Sequence, residues 1–442
     1  MRPADPIVAI ATPPGRGAVG IVRLSGPDLT PISRALTGGA VLTPRQAVLT
    51  GFLDEHGKAI DRGLALYFPG PHSYTGEDVL ELQGHGGPVV LALLLARCVR
   101  LGARPAQPGE FTQRAFLNGQ LDLAQAEAVA DLIEAGSDAA VRSAMRSLNG
   151  EFSSAINALL RQLIELRTLV EACIDFSEED VDLLSARGGF ERLAEVRQQL
   201  DRVQSSARSG RLLNEGAKVV LCGLPNVGKS TLMNQLAESD VAIVTDVPGT
   251  TRDVLREHIL LDGVPIQLLD TAGLRRTEDV VERLGVNRTW HSLKEADLAV
   301  LLVDARNGVT TADQAILAAL PDGLSRIVVA NKADLAPGVP VPGTELSIAA
   351  KERVGLTELK GRILAALGWV PPEGGVFAAR ARHMDALGRT AHHLDEAARQ
   401  SAHLELFAEE LRLAQEALGE ITGTFTADDL LGEIFGRFCI GK

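Results

Sequence analysis

The chain has 442 residues with 45% apolar and 23% charged side chains, values typical of a soluble globular protein, and its length predicts about three domains. A formal net charge of −13 argues against a broad phosphate-binding surface, so any contact with nucleic acid must be local or supplied by a partner. Four widely spaced cysteines, no signal peptide and no apolar run near the ~18 residues of a membrane span predict a cytoplasmic protein without a sulfur-ligated zinc site.

The first part of the chain is rich in glycine, proline and β-branched runs, and twelve of the 21 prolines fall in residues 1–108. We therefore expect a separate α+β domain at residues 1–118. Within it, "GRGAVG" (Gly15–Gly20) satisfies the dinucleotide-binding pattern G-x-G-x-x-G, which requires a helix to follow. The segment "AVGIVRLSG" continues instead as a β run, so the glycines are predicted to form a turn between strands.

Two long tracts without proline, from Gly109 to Leu224 and after Pro372, are predicted to be helical because proline breaks helix interiors. Apolar residues recur at three- and four-residue intervals in "LNGEFSSAINALLRQLIELRTLVEACIDF" and in "LDEAARQSAHLELFAEELRLAQEALGEI". Neither tract alone makes a compact bundle. We predict one helical domain in two parts, residues 119–214 and 371–442, which is interrupted by an inserted α/β domain at residues 215–370.

The inserted domain begins with "KVVLCGLPNVGKSTLMNQLA", which predicts an apolar strand, a glycine-rich turn and a helix. Gly223 to Ser230 match the P-loop pattern G-x-x-x-x-G-K-[ST]. The glycines let backbone N–H groups and the helix N-terminus face a phosphate. Lys229 is predicted to reach the β- and γ-phosphates, and Ser230 to bind Mg²⁺.

Three further motifs follow in the order expected of a nucleotide-hydrolysing domain. "TDVPGTTRD" offers Thr250 and Thr251 to a γ-phosphate and Mg²⁺, and "DTAG" (Asp270–Gly273) ends an apolar run. "NKAD" (Asn331–Asp334) follows the strand "RIVVA", and its aspartate can accept two hydrogen bonds from guanine. Together the four motifs resemble the small-GTPase family, and we expect this domain to bind GTP.

The resemblance implies a set of GTP-binding residues that belong to the four motifs. They are Asn226, Val227, Gly228, Lys229, Ser230, Thr231, Thr245, Asp246, Val247, Pro248, Gly249, Thr250, Thr251, Asp270, Thr271, Ala272, Gly273, Asn331, Lys332, Ala333 and Asp334. Ser230 and Thr251 are the expected ligands of Mg²⁺.

Two departures from the Ras pattern matter for mechanism. Leu274 stands where a Ras-like enzyme carries the glutamine that orients the attacking water, so hydrolysis needs another group. "AAK" (Ala349–Lys351) replaces the usual S-A-K, and we expect the Ala350 N–H still to reach the guanine oxygen. The stretch "EDVVERLG" offers the acidic residues Glu278, Asp279 and Glu282 as water-positioning groups, with a plain surface helix as the alternative.

A resemblance to one family extends over essentially the whole chain. It is carried by "DPIVAIATPPGRGAVGIVRLSG", "SYTGEDVLELQGHGG", "RPAQPGEFTQRAFLNGQLDLAQAEAVADLI", the four nucleotide-binding motifs and the terminal "CIGK". These segments resemble the MnmE (TrmE) family of tRNA modification GTPases. The resemblance implies an N-terminal domain that dimerises and holds 5-formyl- or 5,10-methylene-tetrahydrofolate, and a helical domain that is split by the GTPase.

The same resemblance implies the reaction and its partners. With an FAD-containing partner, MnmG (GidA), the family adds a (carboxymethyl)aminomethyl-type group to carbon 5 of the wobble uridine in certain tRNAs. A homodimer, a heterotetramer with MnmG and binding of tRNA are expected, and no membrane is involved. GTP hydrolysis gates the chemistry, and potassium stimulates it through dimerisation of the GTPase domains, without an outside arginine finger.

Residue by residue, the family's sites fall on specific positions of this chain. Its potassium ligands correspond to Asn226, Thr245, Val247 and Thr250, and its catalytic acid corresponds to Glu282. Its folate contacts correspond to Arg23, Glu81, Gln120 and Lys442. Gln120 stands where the family commonly shows lysine, so a donor is kept and a charge is lost.

Cys439, four residues from the end of the printed sequence, is expected beside the one-carbon unit if the helical tail packs against the N-terminal domain. A packing role for this thiol stays open from the sequence, whereas Gly441 and Lys442 break the pattern of a prenylation site. Two rival functions also stay open: a ribosome-assembly GTPase, and a stand-alone folate enzyme with a vestigial GTPase.

Overall fold

The computed structural model describes residues 5–175, 184, 188–239, 256–270, 296–338, 340–370, 375–424, 428–436 and 438–441. The chain forms two compact units. The first comprises residues 1–130 together with 419–442, and the second comprises residues 131–418.

The described parts of the chain contain twelve strands and thirteen α-helices, and each of these helices has eight or more residues. The strands are β1 (Ile7–Ile10), β2 (Gly17–Gly26), β3 (Val48–Leu53), β4 (Ala59–Phe68), β5 (Asp78–Gly86), β6 (Arg104–Pro105), β7 (Ala217–Cys222), β8 (Arg256–Leu261), β9 (Val264–Asp270), β10 (Leu298–Asp304), β11 (Ser325–Asn331) and β12 (Leu346–Ser347). The helices are α1 (Thr30–Thr37), α2 (Pro88–Arg100), α3 (Glu110–Leu117), α4 (Leu123–Glu134), α5 (Asp138–Leu148), α6 (Glu151–Asp175), α7 (Gly189–Glu215), α8 (Lys229–Ser239), α9 (Thr311–Ala319), α10 (Leu356–Ala366), α11 (Ala381–Arg399), α12 (Leu404–Thr422) and α13 (Asp428–Gly436).

The first unit is built on a six-stranded sheet in the order β3-β4-β5-β2-β1-β6. Neighbouring strands are antiparallel, except that β6 runs parallel to β1. Alternate residues of β5, such as Leu80 and Leu82, are buried in a core with α1 and α2, and Glu81 belongs to the opposite face. A strand and not a helix follows "GRGAVG", as predicted, but only Gly15 lies in the connection before β2, whereas Gly17 and Gly20 belong to β2 itself.

The long helix α6 confirms the predicted amphipathic pattern. Its buried residues recur at intervals of four and three along 25 residues: Phe152, Ile156, Leu159, Leu163, Leu166, Val170 and Cys173. Helix α7 packs against both α6 and α11. The quoted stretch "LDEAARQSAHLELFAEELRLAQEALGEI" is divided between two helices, because α11 ends at Arg399 and a turn closed by a hydrogen bond from His403 N to Gln400 O precedes α12.

The inserted part of the second unit contains a six-stranded sheet in the order β12-β11-β10-β7-β9-β8. All neighbours are parallel except β8, which is antiparallel to β9. Every residue of β10 is buried, as expected for the central strand of a sheet that is covered on both faces. The predicted combination of an α+β part, a helical part and an inserted α/β part is thus confirmed. Among the described helices, none is long and apolar enough to cross a membrane.

Candidate functional site

The glycine-rich turn between β7 and α8 has the backbone conformation that a phosphate-binding loop requires. Gly223 (φ 139°) and Gly228 (φ 102°) occupy conformations that side chains disfavour. A Cβ on Gly223 would lie 2.3 Å from the Leu302 carbonyl oxygen, and one on Gly228 would lie 2.3 Å from Asn331 Nδ2. The glycines are therefore needed for close packing as well as for the turn, and the predicted strand, turn and helix are confirmed.

Polar groups of the first turn of α8 gather at the mouth of this loop. Lys229 Nζ donates to the carbonyl oxygens of Gly223, at 2.9 Å, and Leu224, at 3.2 Å. Ser230 and Thr231 are exposed at the start of the same helix. A helix N-terminus with a lysine and hydroxyl groups beside it is a suitable site for a phosphate and its metal ion.

The Asn331 side chain joins three predicted motifs. This asparagine ends β11 and is 2% exposed. Its Nδ2 donates to the Val227 carbonyl oxygen at 2.8 Å, and its Oδ1 accepts the Ala350 N–H at 3.0 Å. The Ala350 N–H was expected to reach the guanine oxygen. In this structure the Ala350 N–H donates to the side-chain oxygen Oδ1 of Asn331, so its contact with guanine stays a prediction.

Asp334 lies in the 3₁₀ turn Ala333–Leu335 that follows Asn331 and is exposed, so its carboxylate is accessible to a base. At the other side of the loop, Asp270 ends β9 and pairs in register with Leu221 of β7, one residue before the strand's end. The main chain of Asp270 thus reaches the same edge of the sheet as the phosphate-binding loop.

Sequence reasoning missed a charged cluster behind this loop. Lys332 Nζ donates to the Asn226 carbonyl oxygen at 2.6 Å and to Asp304 Oδ2 at 2.9 Å. Arg306 donates from Nε and Nη2 to the two oxygens of the same carboxylate, at 2.9 and 2.7 Å. The hydrogen bonds from Arg306, and then from Lys332, hold the pKa of Asp304 well below its usual range. The only signal in the sequence was an aspartate at the end of the apolar run "LAVLLVD".

Several predicted site residues lie outside the described residues. They are Thr245, Asp246, Val247, Pro248, Gly249, Thr250, Thr251, Thr271, Ala272, Gly273, Glu282 and Lys442. Their assigned roles stay predictions. The same holds for the roles of Leu274, Glu278 and Asp279, which also lie outside.

In the first unit, Arg23 and Glu81 form a half-buried ion pair on neighbouring strands. Arg23 of β2 is opposite Glu81 of β5, and Arg23 Nη2 lies 2.8 Å from Glu81 Oε1. The guanidinium carbon of Arg23 is 5.8 Å from the centroid of the Tyr74 ring and 5.9 Å from that of Phe111. The ion pair and the partly buried Tyr74 ring together offer charge and aromatic surface to a flat polar heterocycle, whereas the Phe111 ring is fully buried.

The remaining predicted folate contact that the structure describes, Gln120, lies beside the loop that contains Gly76. Gln120 is exposed, and its Cγ and Nε2 would lie 3.3 Å from a Cβ built on Gly76. Gly76 is two residues from Tyr74, whose hydroxyl shares a hydrogen bond of 2.8 Å with Thr112 of α3. The loop that carries Tyr74 therefore brings Gln120 toward the surroundings of Arg23.

The C-terminal tail joins the same unit, so the condition stated for Cys439 is met. Gly109 N donates to the Cys439 carbonyl oxygen at 3.4 Å, and Ile440 forms a bridge with Pro108. A Cβ on Gly441 would lie 2.6 Å from the Ile10 carbonyl oxygen at the end of β1. Because Gly109 caps α3, which carries Phe111, a short series of contacts connects the tail to Arg23. Cys439 is exposed, so among the described residues its thiol is not part of a buried core.

An almost fully buried carboxylate fixes the start of α3. Glu110 accepts hydrogen bonds from Arg104 Nη1 at 2.9 Å, Arg104 Nη2 at 2.5 Å and the Gln107 N–H at 2.9 Å. Arg114 Nη2 donates to it at 3.1 Å and uses Nη1 to pair with Glu77 at 2.8 Å. Burial alone would raise the pKa of Glu110, but the donors, led by Arg104, lower it.

Comparisons with known proteins agree across the chain. A family model described as "GTP-binding protein TrmE N-terminus" matches residues 6–120, and one described as "MnmE helical domain" matches residues 123–439. The chain is 56% identical over 445 residues to the tRNA modification GTPase MnmE of Chromobacterium violaceum, covering 99% of this chain and 98% of that one. It is 55% identical over 453 residues to the protein of the same name from Nitrosospira multiformis, covering both chains completely. A crystal structure of a variant of Aquifex aeolicus Era bound to GDP·AlF4⁻ matches 40% of this chain and 66% of that chain at 28% identity, with a TM-score of 0.29.

Proposed function

Because the chain belongs to the MnmE family of tRNA modification GTPases, we propose that it couples GTP hydrolysis to a folate-dependent modification of the wobble uridine in certain tRNAs. The chain is a GTPase that acts in tRNA modification, and the nature of the donor, the partner and the site residues are the proposal. We keep the predicted domain boundaries as part of it: 1–118, 119–214, 215–370 and 371–442. Full-length similarity favours this function over a ribosome-assembly GTPase and over a stand-alone folate enzyme.

Lys229 and the N–H groups of the loop that ends at Gly228 bind the phosphates of GTP. The helix N-terminus and the lysine charge stabilise the negative charge that accumulates when the γ-phosphate leaves. Asp334 selects guanine by accepting hydrogen bonds that adenine cannot donate. The exposed position of Asp334 and the rigid attachment of Asn331 to the loop support this assignment.

Two cations assist the reaction. Ser230 and Thr251 hold Mg²⁺, and Asn226, Thr245, Val247 and Thr250 hold potassium. Asn226 fits this role because its side chain is exposed and its amide oxygen can bind a cation. Its main-chain carbonyl oxygen already accepts a hydrogen bond from Lys332. A potassium ion there supplies positive charge to the phosphates in place of an arginine finger. Glu282 positions the attacking water, since Leu274 has no polar group to do so.

The first unit binds the one-carbon tetrahydrofolate. Arg23 and Glu81 hydrogen-bond the ligand beside the Tyr74 ring, and Gln120 adds a donor without charge. Lys442 pairs with the ligand's carboxylates. Cys439 lies beside the one-carbon unit, and its exposure supports a chemical role for the thiol.

Partners complete the reaction. We propose a cytoplasmic homodimer that assembles with FAD-containing MnmG into a heterotetramer and acts on tRNA. The observation that carries this function is the joining of the "CIGK" tail to the unit that contains Arg23 and Glu81, because it brings the thiol and the ion pair into one domain.

The experiment that tests the proposal uses a strain from which the gene has been deleted, complemented with the wild type or with Cys439→Ser. Mass spectrometry of wobble uridines reports modification, and purified proteins report potassium-stimulated GTPase rates and folate affinity. We expect Cys439→Ser to abolish modification and to leave GTPase activity unchanged, because an alcohol ionises far less readily than a thiol. Lys442→Ala should mainly weaken folate binding. Normal modification by Cys439→Ser would contradict the proposed role of the thiol, and a lipid on Cys439 in intact-mass spectra would contradict the assignment of the tail.

A further inference from the structure

The P-loop residue Asn226 has a main-chain conformation that needs support. Its φ of 64° lies in the left-handed region, where a residue other than glycine is held only when its surroundings fix it. One contact that supports it is the hydrogen bond from Lys332 Nζ to its carbonyl oxygen, at 2.6 Å. Lys332 is itself left-handed, with a φ of 64°, so the two loops hold each other in these conformations.

Asp304 determines where the Lys332 ammonium lies. Its side chain is 9% exposed at the end of the buried strand β10, so the carboxylate has a rigid base. The Arg306 guanidinium donates one hydrogen bond to each of its two oxygens, and the main-chain N–H of Arg306 donates a third at 3.1 Å. The other charged group that donates a hydrogen bond to this carboxylate is the Lys332 ammonium. None of the nucleotide-binding motifs includes Asp304 or Arg306.

We propose that Asp304 is a positioning residue that acts through Lys332 on Asn226 and thereby sets how tightly the P-loop holds its activating monovalent cation. The inference rests on the proposed function, in which the Asn226 side chain is a potassium ligand. Asp304 contributes in two ways. It holds the ammonium against the Asn226 carbonyl oxygen, and its negative charge offsets one of the two positive charges, on Lys332 and Arg306, next to the cation site.

The variant Asp304→Asn removes the charge while it keeps the size of the side chain. The net charge of Asp304, Lys332 and Arg306 then changes from +1 to +2. This change weakens the binding of a nearby cation and does not weaken the binding of phosphates. One unit of charge roughly 4–8 Å away, screened nearly as strongly as in bulk water, changes the affinity for a monovalent cation by roughly two- to fivefold. We therefore expect a higher potassium requirement with an equal or tighter affinity for nucleotide.

The experiment titrates KCl at constant ionic strength with the full-length chain. One readout is the GTPase rate. The other is the thermal unfolding midpoint in the presence of a non-hydrolysable GTP analogue, which rises as a cation binds the folded protein and does not depend on turnover. In both readouts Asp304→Asn should need roughly two- to fivefold more potassium for its half-maximal effect. The affinity for a fluorescent GDP derivative is measured separately.

Two variants serve as controls. Glu238→Gln breaks an exposed ion pair with Arg353 in the same domain, at 2.5 Å, and should leave the potassium titration unchanged. Arg306→Gln keeps the contact between Asp304 and Lys332 and removes a positive charge, so its potassium requirement should stay at or below that of the wild type. If Asp304→Asn does not fold, Asp304→Ser removes the same charge with a smaller side chain and the same result is expected.

The outcomes separate this inference from the function on which it rests. A wild-type protein that potassium neither activates nor stabilises would contradict the proposed cation site itself. A potassium-dependent wild type with an unchanged titration for Asp304→Asn would overturn the role of Asp304 alone. A loss of nucleotide affinity in parallel with the loss of potassium affinity, or an equal rise of the potassium requirement in Arg306→Gln, would indicate general loosening of the loop and would also overturn it.

Discussion

The buried amide of Asn331 offers the sharpest test of how the nucleotide site is held together. Asn331→Ala removes the donor to the Val227 carbonyl oxygen and the acceptor of the Ala350 N–H, two hydrogen bonds that are shielded from water. Each buried partner left without a hydrogen bond costs about 1–3 kcal/mol. The sum for the two partners is about 2–6 kcal/mol, which divides between stability of the GTPase domain and affinity for nucleotide.

The assay measures both parts on one preparation. Fluorescence titration with a labelled GDP gives the affinity, and thermal unfolding without nucleotide gives the stability. We expect the affinity to fall by about thirtyfold or more if the full cost falls on binding, and by less if part of the cost appears as a lower unfolding midpoint. Asn331→Asp keeps the acceptor for Ala350 and faces the Val227 oxygen with a second acceptor, so it should also weaken binding.

The matched control is Asn307→Ala, which truncates an exposed asparagine of the same domain. It should leave the affinity and the unfolding midpoint close to those of the wild type. If Asn331→Ala cannot be distinguished from Asn307→Ala in either measurement, the two buried hydrogen bonds do not stabilise the site and the reasoning is refuted.

Three further predictions concern selectivity, hydrolysis and pH. Asp334→Asn exchanges an acceptor for an amide and should shift preference from GTP toward XTP, and an unchanged GTP affinity in a filter-binding assay would rule out this assignment. Glu282→Ala should leave GTP affinity nearly intact while kcat falls by roughly 10²-fold or more, and a collapse of affinity would place the role of Glu282 elsewhere. Glu110 has a lowered pKa in the folded state, so its ionised form stabilises the fold above its unfolded pKa, near the ordinary 4.5, and this contribution is lost as pH falls. Glu110→Gln should therefore lower the unfolding midpoint at neutral pH, with a difference from the wild type that shrinks below about pH 4.5, whereas a difference independent of pH would show that the charge is not responsible.

The sequence by itself determined the features that depend on residues close together in the chain. The P-loop could be predicted because its glycines, lysine and flanking apolar runs are contiguous, and steric limits on the backbone leave one arrangement for them. The face of α6 could be predicted because a helix repeats every 3.6 residues, so apolar spacing alone indicates which residues are buried. The turn between α11 and α12 was missed because no proline or glycine marks it.

The tertiary structure decided which distant groups meet. Asp304 contacts Lys332 because β10 and β11 are parallel neighbours whose ends lie at one edge of the sheet. No local pattern could predict that the Ala350 N–H is taken by Asn331, since that hydrogen bond depends on how the strands and the following loops pack. Cys439 meets Gly109 only because the chain returns to its first unit after the second one is complete. Local pattern limits the conformations of each segment, whereas the burial of apolar surface and the pairing of strands select the partners of each side chain.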